Sequence, residues 1–262
     1  MEMIATARMR RAQQQAKAGR PYAEKIGQVI ADLAAESLVR ETHPLLRQRG
    51  VEKIEVVHMA TDRGLCGGLN ASLNHFVARF ISEQKVPVTL VSVGRKGRDF
   101  MHHLGYDIRA EFSGIGENPA LQETIPISRV VIDDYASGDV DLVYLAYPRF
   151  VNTAVQRPAV EVLLPVEPPR QASARAVEYI YEPSLNSVLG DLLPRYVEVE
   201  VYHAILELIA SEQSARMVAM RSASDNAREL IAGLTMVLNK VRQETITEEI
   251  CDISGAVEAL AR

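Results

Sequence analysis

The feature that most constrains this chain is an absence: after Pro194 no proline follows to the C-terminus. Only Gly233 and Gly255 interrupt a stretch otherwise rich in Ala, Leu, Val, Met, Glu, Arg and Gln, which favour helix. The economical prediction is one uninterrupted helix over Pro194–Arg262. At ~1.5 Å rise per residue such a rod measures roughly 95–100 Å. A compact globule of 262 residues is only about 45–50 Å across. The rod is therefore expected to extend beyond the body of its own protein.

A helix of that length needs apolar contact to stay folded in water, and the spacing supplies it. Val201, Ala204 and Leu208 step at heptad intervals; so do Leu230, Leu234, Val237 and Val241, then Ile246, Ile250, Ile253, Val257 and Leu260. Between them Ala215, Ala219, Ala223 and Ala227 recur every four residues, a stripe that lets another backbone approach but is also plain helix propensity. Residues Met1 to about Arg40 read as the partner helix. Tyr22, Ile26, Val29 and Leu33 form its apolar face, and Ala5, Ala12 and Ala16 continue it upstream. Pro21 should kink that helix or mark a join, and His43-Pro44 should stop it. Arg8, Arg10, Arg11, Lys17 and Arg20 against Glu2 make its first twenty residues locally basic. That excess is either a solvated face or a surface for an acidic partner.

From Val51 to about Val166 strands alternate with helices: Val51–Ala60, Val86–Val93, Val140–Tyr147 and Val160–Val166 as strands, with Leu69–Gln84, Arg95–Leu104 and Pro126–Ala136 as helices. This alternation predicts a mainly parallel, three-layer α/β unit. The predicted organisation is an N-terminal helix over 1–44, an α/β domain with its linker over 51–190, and a long C-terminal helix over 194–262. The fold class is α/β with long helices, the terminal helices pairing as an antiparallel coiled coil around an inserted Rossmann-like domain.

The most distinctive short stretch is Thr61–Asn70, TDRGLCGGLN, after a strand and before a helix. Its glycines suit either a tight structural turn or a nest of backbone N–H groups for an anion. The spacing is neither G-x-G-x-x-G nor G-x-x-x-x-G-K-[ST]. A nucleotide-binding enzyme using the glycines at 64–68 is the alternative this motif keeps open. His102-His103 are adjacent and point about 100° apart on a helix, a poor chelate. Asp133-Asp134 reads as a solvated helix end, since no other group converges on it in the sequence. No catalytic, cofactor-binding or metal-ligating residue is assigned, and no cofactor is expected. The net charge of −5 gives no general case for nucleic acid. Cys66 and Cys251 belong to regions expected to lie far apart, so a disulfide is not expected and a reducing compartment is the default. No apolar run of eighteen residues is present to cross a membrane.

Several stretches, in order, then carry a family resemblance: MEMIATARMRRAQ with RPYAE at the start, TDRGLCGGLN, GENP at Gly116–Pro119, RFVNT at Arg149–Thr153, YIYEPS at Tyr179–Ser184, and SEQSARMVAMRSASDNA with NKVRQETITEEI in the long helix. Together they cover nearly the whole chain, which resembles the gamma subunits of F-type, proton-transporting ATP synthases. The resemblance implies a non-catalytic central rotor shaft that transmits torque between the membrane c-ring and the catalytic ring. Its implied partners are the alpha, beta and epsilon subunits and the c-ring. Its implied location is peripheral, at the cytoplasmic face of a bacterial plasma membrane.

By position, the resemblance places Met1, Arg8, Arg216, Arg242 and Gln243 toward the alpha/beta ring, and Tyr181 and Glu182 toward the c-ring. It favours an acidic partner for the basic N-terminal segment and a structural turn at 64–68, and it puts Ile246 to Leu260 in an apolar bearing. Members of this family carry a further helical segment ahead of the position of Met1. Without it the seam from Ile246 to Leu260 lacks an intrachain partner. The expectation is a misassigned start rather than a shortened form, because an open apolar seam invites aggregation.

Overall fold

The structure is a computed structural model and describes residues 2–34, 43–166 and 185–260. Met1 and residues 35–42, 167–184 and 261–262 lie outside the described residues. The chain divides into two compact units, Met1–Val218 and Ala219–Arg262.

In the first unit, helix α1 (Glu2–Ala34) carries Pro21 inside it. A short 3-10 turn at Pro44–Leu46 follows, with the His43 side chain accepting from the Leu45 N–H. The α/β domain is then β1 (Ile54–Met59), α2 (Leu69–Ser82), β2 (Val88–Val93), α3 (Arg95–His103), β3 (Ile108–Phe112), α4 (Leu121–Ser137), β4 (Leu142–Phe150) and β5 (Gln156–Leu164). The sheet order is β3-β2-β1-β4-β5. The first four strands are parallel and β5 pairs antiparallel with β4. Central β1 is fully buried along its length, as a strand covered by helices on both faces must be.

Because side chains alternate across a strand, β1 feeds two cores. Val57 and Met59 join Val91, Val93, Val143 and Leu145 in one. Ile54 and Val56 join Leu90 and Ala146 in the other, under Leu73, Val77 and Ile81 of α2 and Met101 of α3. The first core also takes Ile127, Val131 and Tyr135 from α4, Ala12, Ile26 and Ile30 from α1, and Leu189 to Ala210 from the last helix, α5 (Leu185–Leu260). The two terminal helices thus share one core with the sheet. One close approach demands glycine: Gly94 has φ +90°, and a Cβ there would stand 2.0 Å from the Ala60 carbonyl oxygen.

Helix α5 is 76 residues long and continuous. It begins at Leu185, ahead of the predicted start at Pro194, and carries Pro194 inside it. Buried Leu189, Leu193 and Val197 flank the proline, and this packing holds a turn that proline alone would disfavour. Likewise α4 opens at Leu121, with Pro126 inside the helix rather than at its start. Strand β3 was not predicted.

The second unit, described by itself, is the remainder of α5, and every side chain from 225 to 257 is exposed. The predicted seam is open there: Leu230, Leu234, Val237, Val241, Ile246, Ile250, Ile253 and Val257 are 45–65 % exposed. The Leu260 side chain lies outside the described residues.

Candidate functional site

The chain leaves β1 toward β2 on one side and returns from β3 to β4 on the other, so the sheet switches direction at β1. In open α/β folds the crevice beyond the strand carboxyl ends at such a point is the usual binding position. Here a cleft of about 490 Å³ opens there, and Arg8 of α1 and Ile205, Leu208, Ile209 and Glu212 of α5 form part of its wall. The crevice where a ligand sits in other doubly wound folds is here walled on one side by the protein's own terminal helices.

Two connecting segments form the rest of the wall. The β1–α2 turn is closed on itself: the Asn70 amide donates to Thr61 Oγ1 at 2.7 Å and to Cys66 Sγ at 3.3 Å, and Thr61 Oγ1 donates to the Arg63 carbonyl at 2.6 Å. Gly67 has φ +58° and Leu65 has φ +61°. Leu65, 70 % exposed, is therefore a branched residue in the left-handed region. Arg216 of α5 donates to the Gly64 carbonyl at 3.2 Å and pairs with Glu212. These bonds agree with the structural reading of the glycine turn.

The β3–α4 segment is pinned along its length. Asp62 accepts from the Gly114 N–H at 2.8 Å and from the Arg95 N–H at 3.1 Å. Glu117 pairs with Arg8, and Arg63 approaches the same carboxylate at 3.7 Å. Tyr202 of α5 donates to the Pro119 carbonyl at 3.3 Å. Burial pushes the Glu212 carboxyl upward, with Arg216 opposing it.

Within the sheet β1 holds two ionisable groups with no exposure, Glu55 near its amino end and His58 near its carboxyl end. Burial, and then the neighbouring Asp134 charge, push Glu55 up to about 8. Burial brings His58 down to about 4. Asp134 is not the solvated helix end expected from sequence; it is 7 % exposed and accepts from Arg109 of β3 at 3.2 and 3.3 Å. His102 and His103 are exposed at the end of α3. Among the described residues no group of three or more His, Cys, Asp or Glu is placed to hold a metal, and no helix is long and apolar enough to cross a membrane.

Of the residues singled out from sequence, Arg8 lines the cleft, and Arg216 lies behind its wall, bonded to the Gly64 carbonyl and to the wall residue Glu212. Arg242 and Gln243 are exposed in the second unit. Met1, Tyr181 and Glu182 lie outside the described residues. The contacts of Glu117, Asp62 and Tyr202 carry no signal in the sequence. GENP and TDRG are distinctive stretches, but only the register of β1, β2 and β3 brings them to one edge.

Comparisons with known proteins agree with this architecture. The family model described as ATP synthase matches residues 1–260. An ATP synthase gamma chain from Dehalococcoides mccartyi is 56 % identical over 262 residues, covering all of this chain and 92 % of the relative. One from Herpetosiphon aurantiacus is 46 % identical over 270 residues, covering 99 % of this chain and 92 % of the relative. A chain in the cryo-EM structure of the Tetrahymena thermophila mitochondrial ATP synthase central stalk and c-ring is similar with a TM-score of 0.69 at 27 % identity, covering 86 % of this chain and 97 % of that one. With two long helices sharing a core with an inserted α/β sheet, and with this likeness running from end to end, the chain belongs to the ATP synthase gamma-chain family.

Proposed function

We propose that this chain is the central rotor shaft of an F-type ATP synthase, carrying torque between a membrane c-ring and a catalytic ring of alpha and beta subunits. The observation that carries this reading is the match along the whole chain to relatives named ATP synthase gamma chain. The continuous α5 supports it, because a stiff helix with a repeating apolar seam is what a shaft inside a ring requires.

In this reading proton flow turns the c-ring and this chain together. The shaft is asymmetric, so each catalytic pocket meets a different face of it in turn and cycles through binding, synthesis and release. Chemistry belongs to the ring, and the chain by itself is non-catalytic. The tip of its seam, Ile246 to Leu260, whose side chains are open from Ile246 to Val257, supplies apolar contact of low directionality, suited to a turning bearing. Arg242 and Gln243 supply directional contacts to a catalytic subunit that hold one rotary state. Met1, Arg8 and Arg216 face the same ring, Tyr181 and Glu182 face the c-ring, and epsilon completes the stalk. The complex sits at the cytoplasmic face of a bacterial plasma membrane, with this chain peripheral to it.

The test is reconstitution with alpha and beta subunits and the membrane sector. The expected result is coupled ATP synthesis that depends on this chain and is impaired by Arg242→Ala with Gln243→Ala. Full coupled synthesis without the chain, or no gain on adding it, overturns the reading.

A further inference from the structure

The close-packed core shared by α1, α5 and the sheet opposes gross slippage of the helices on the domain. Apolar contacts are non-directional, so the fine register of one element on another is set by hydrogen bonds and ion pairs, whose geometry is directional. In this chain those bonds concentrate at the carboxyl edge of the sheet. From α5, Arg216 reaches the Gly64 carbonyl, Tyr202 the Pro119 carbonyl, and Ser211 the Pro148 carbonyl at 2.9 Å, while Glu207 accepts the Phe150 N–H at 3.3 Å. From α1, Arg8 reaches Glu117.

Glu117 differs from the other anchor points. It is the acceptor on which arginines of two separate elements converge, Arg8 from α1 and Arg63 from the β1–α2 turn. Its own segment is fixed on either side, at Gly114 by Asp62 and at Pro119 by Tyr202. One carboxylate therefore joins α1, the β1–α2 turn and the β3–α4 segment. We propose that Glu117 is the positioning residue of a torque clamp, fixing the register of α1 on the α/β domain so that rotation of one is passed to the other without slack. This rests on the rotor reading above.

The side chains of Arg8 and Glu117 are 40 % and 37 % exposed, and ion pairs of that exposure add little to stability. A clamp of this kind is thus separable from folding. The experiment places wild type, Glu117→Asp, Glu117→Gln and Glu117→Arg in the full membrane-reconstituted complex, and measures ATP-driven proton pumping per ATP hydrolysed. Melting of each purified chain is recorded in parallel.

The expected result is a pumping ratio that falls in the order wild type, Asp, Gln, Arg, with hydrolysis retained. The arginine variant is worst because it meets Arg8 and Arg63 with like charge. Melting temperatures should shift by less than about 3 °C for Asp and Gln. Wild-type coupling ratios in Gln and Arg overturn the clamp and leave the rotor reading standing. So does a loss of coupling that merely tracks a large fall in melting temperature across all three variants. A wild-type chain that restores no coupling at all overturns both.

Discussion

Glu55 and His58 sit on opposite faces of β1 with no exposure, and their titrations pull stability in opposite directions. Glu55 moves from 4.5 to about 8 on folding. Between those values the folded chain holds a proton that the unfolded chain has released, so stability falls as pH rises, by ~1.4 kcal/mol per unit at most. His58 moves from 6.5 to about 4. Between those values the unfolded chain holds the extra proton, so stability rises with pH. The two slopes oppose each other from pH 4.5 to 6.5, and above 6.5 the Glu55 slope stands alone up to 8. Glu55→Gln is therefore expected to match wild type near pH 4 and to exceed it by an amount on the order of a few kcal/mol at pH 8. Urea midpoints across that range check this; equal midpoints at pH 8 would refute it. Neither burial was legible beforehand. Both residues sit in VEKIEVVHMA, which reads as a strand whichever face is covered.

At the scale of elements, the long helix is legible because no proline interrupts its apolar periodicity after Pro194, and most of the α/β alternation because its strands and helices have ordinary lengths. The misses share a cause. Pro126 and Pro194 were each read as a boundary, yet both lie inside helices, as Pro21 does. A proline costs a helix interior ~3 kcal/mol in isolation, and Thr124 and Ile127, or Leu193 and Val197, bury enough on either side to offset it. Strand β3 escaped because it is a sheet edge of only five residues, IRAEF, with Arg109 and Glu111 exposed in alternation; it reads as a polar loop. Helix α5 itself changes character along its length. Leu189, Leu193, Val197, Val201 and Ile205 are at most 1 % exposed, whereas Leu230 to Val257 stand open. Helical amides without packed side chains open readily. In the isolated chain, hydrogen exchange is expected to be slow over 189–211 and fast over 230–257. Assembly with alpha and beta subunits should then slow the second stretch. Equal protection of both stretches in the isolated chain would contradict this.

For the molecule as a whole, the candidate site was less legible than the fold, because it is made of loops brought together by strand order and not by sequence distance. Arg8, Arg63, Glu117 and Arg216 belong to four separate segments. Without β3, the segment holding Glu117 had no assigned edge of the sheet. Stability and coupling also divide along the chain. No described residue after Ser214 is buried, so the second unit adds little apolar burial, and burial is what sets stability in proportion to area removed from water. The rotor reading places Arg242, Gln243 and the open seam in that same unit. A chain ending at Val218 is therefore expected to melt within a few degrees of the full chain, with the same dependence on pH between 6.5 and 8. In reconstitution it should restore no coupled ATP synthesis. A truncated chain that melts far lower would show that the second unit stabilises the first; one that still supports synthesis would remove the shaft from the mechanism.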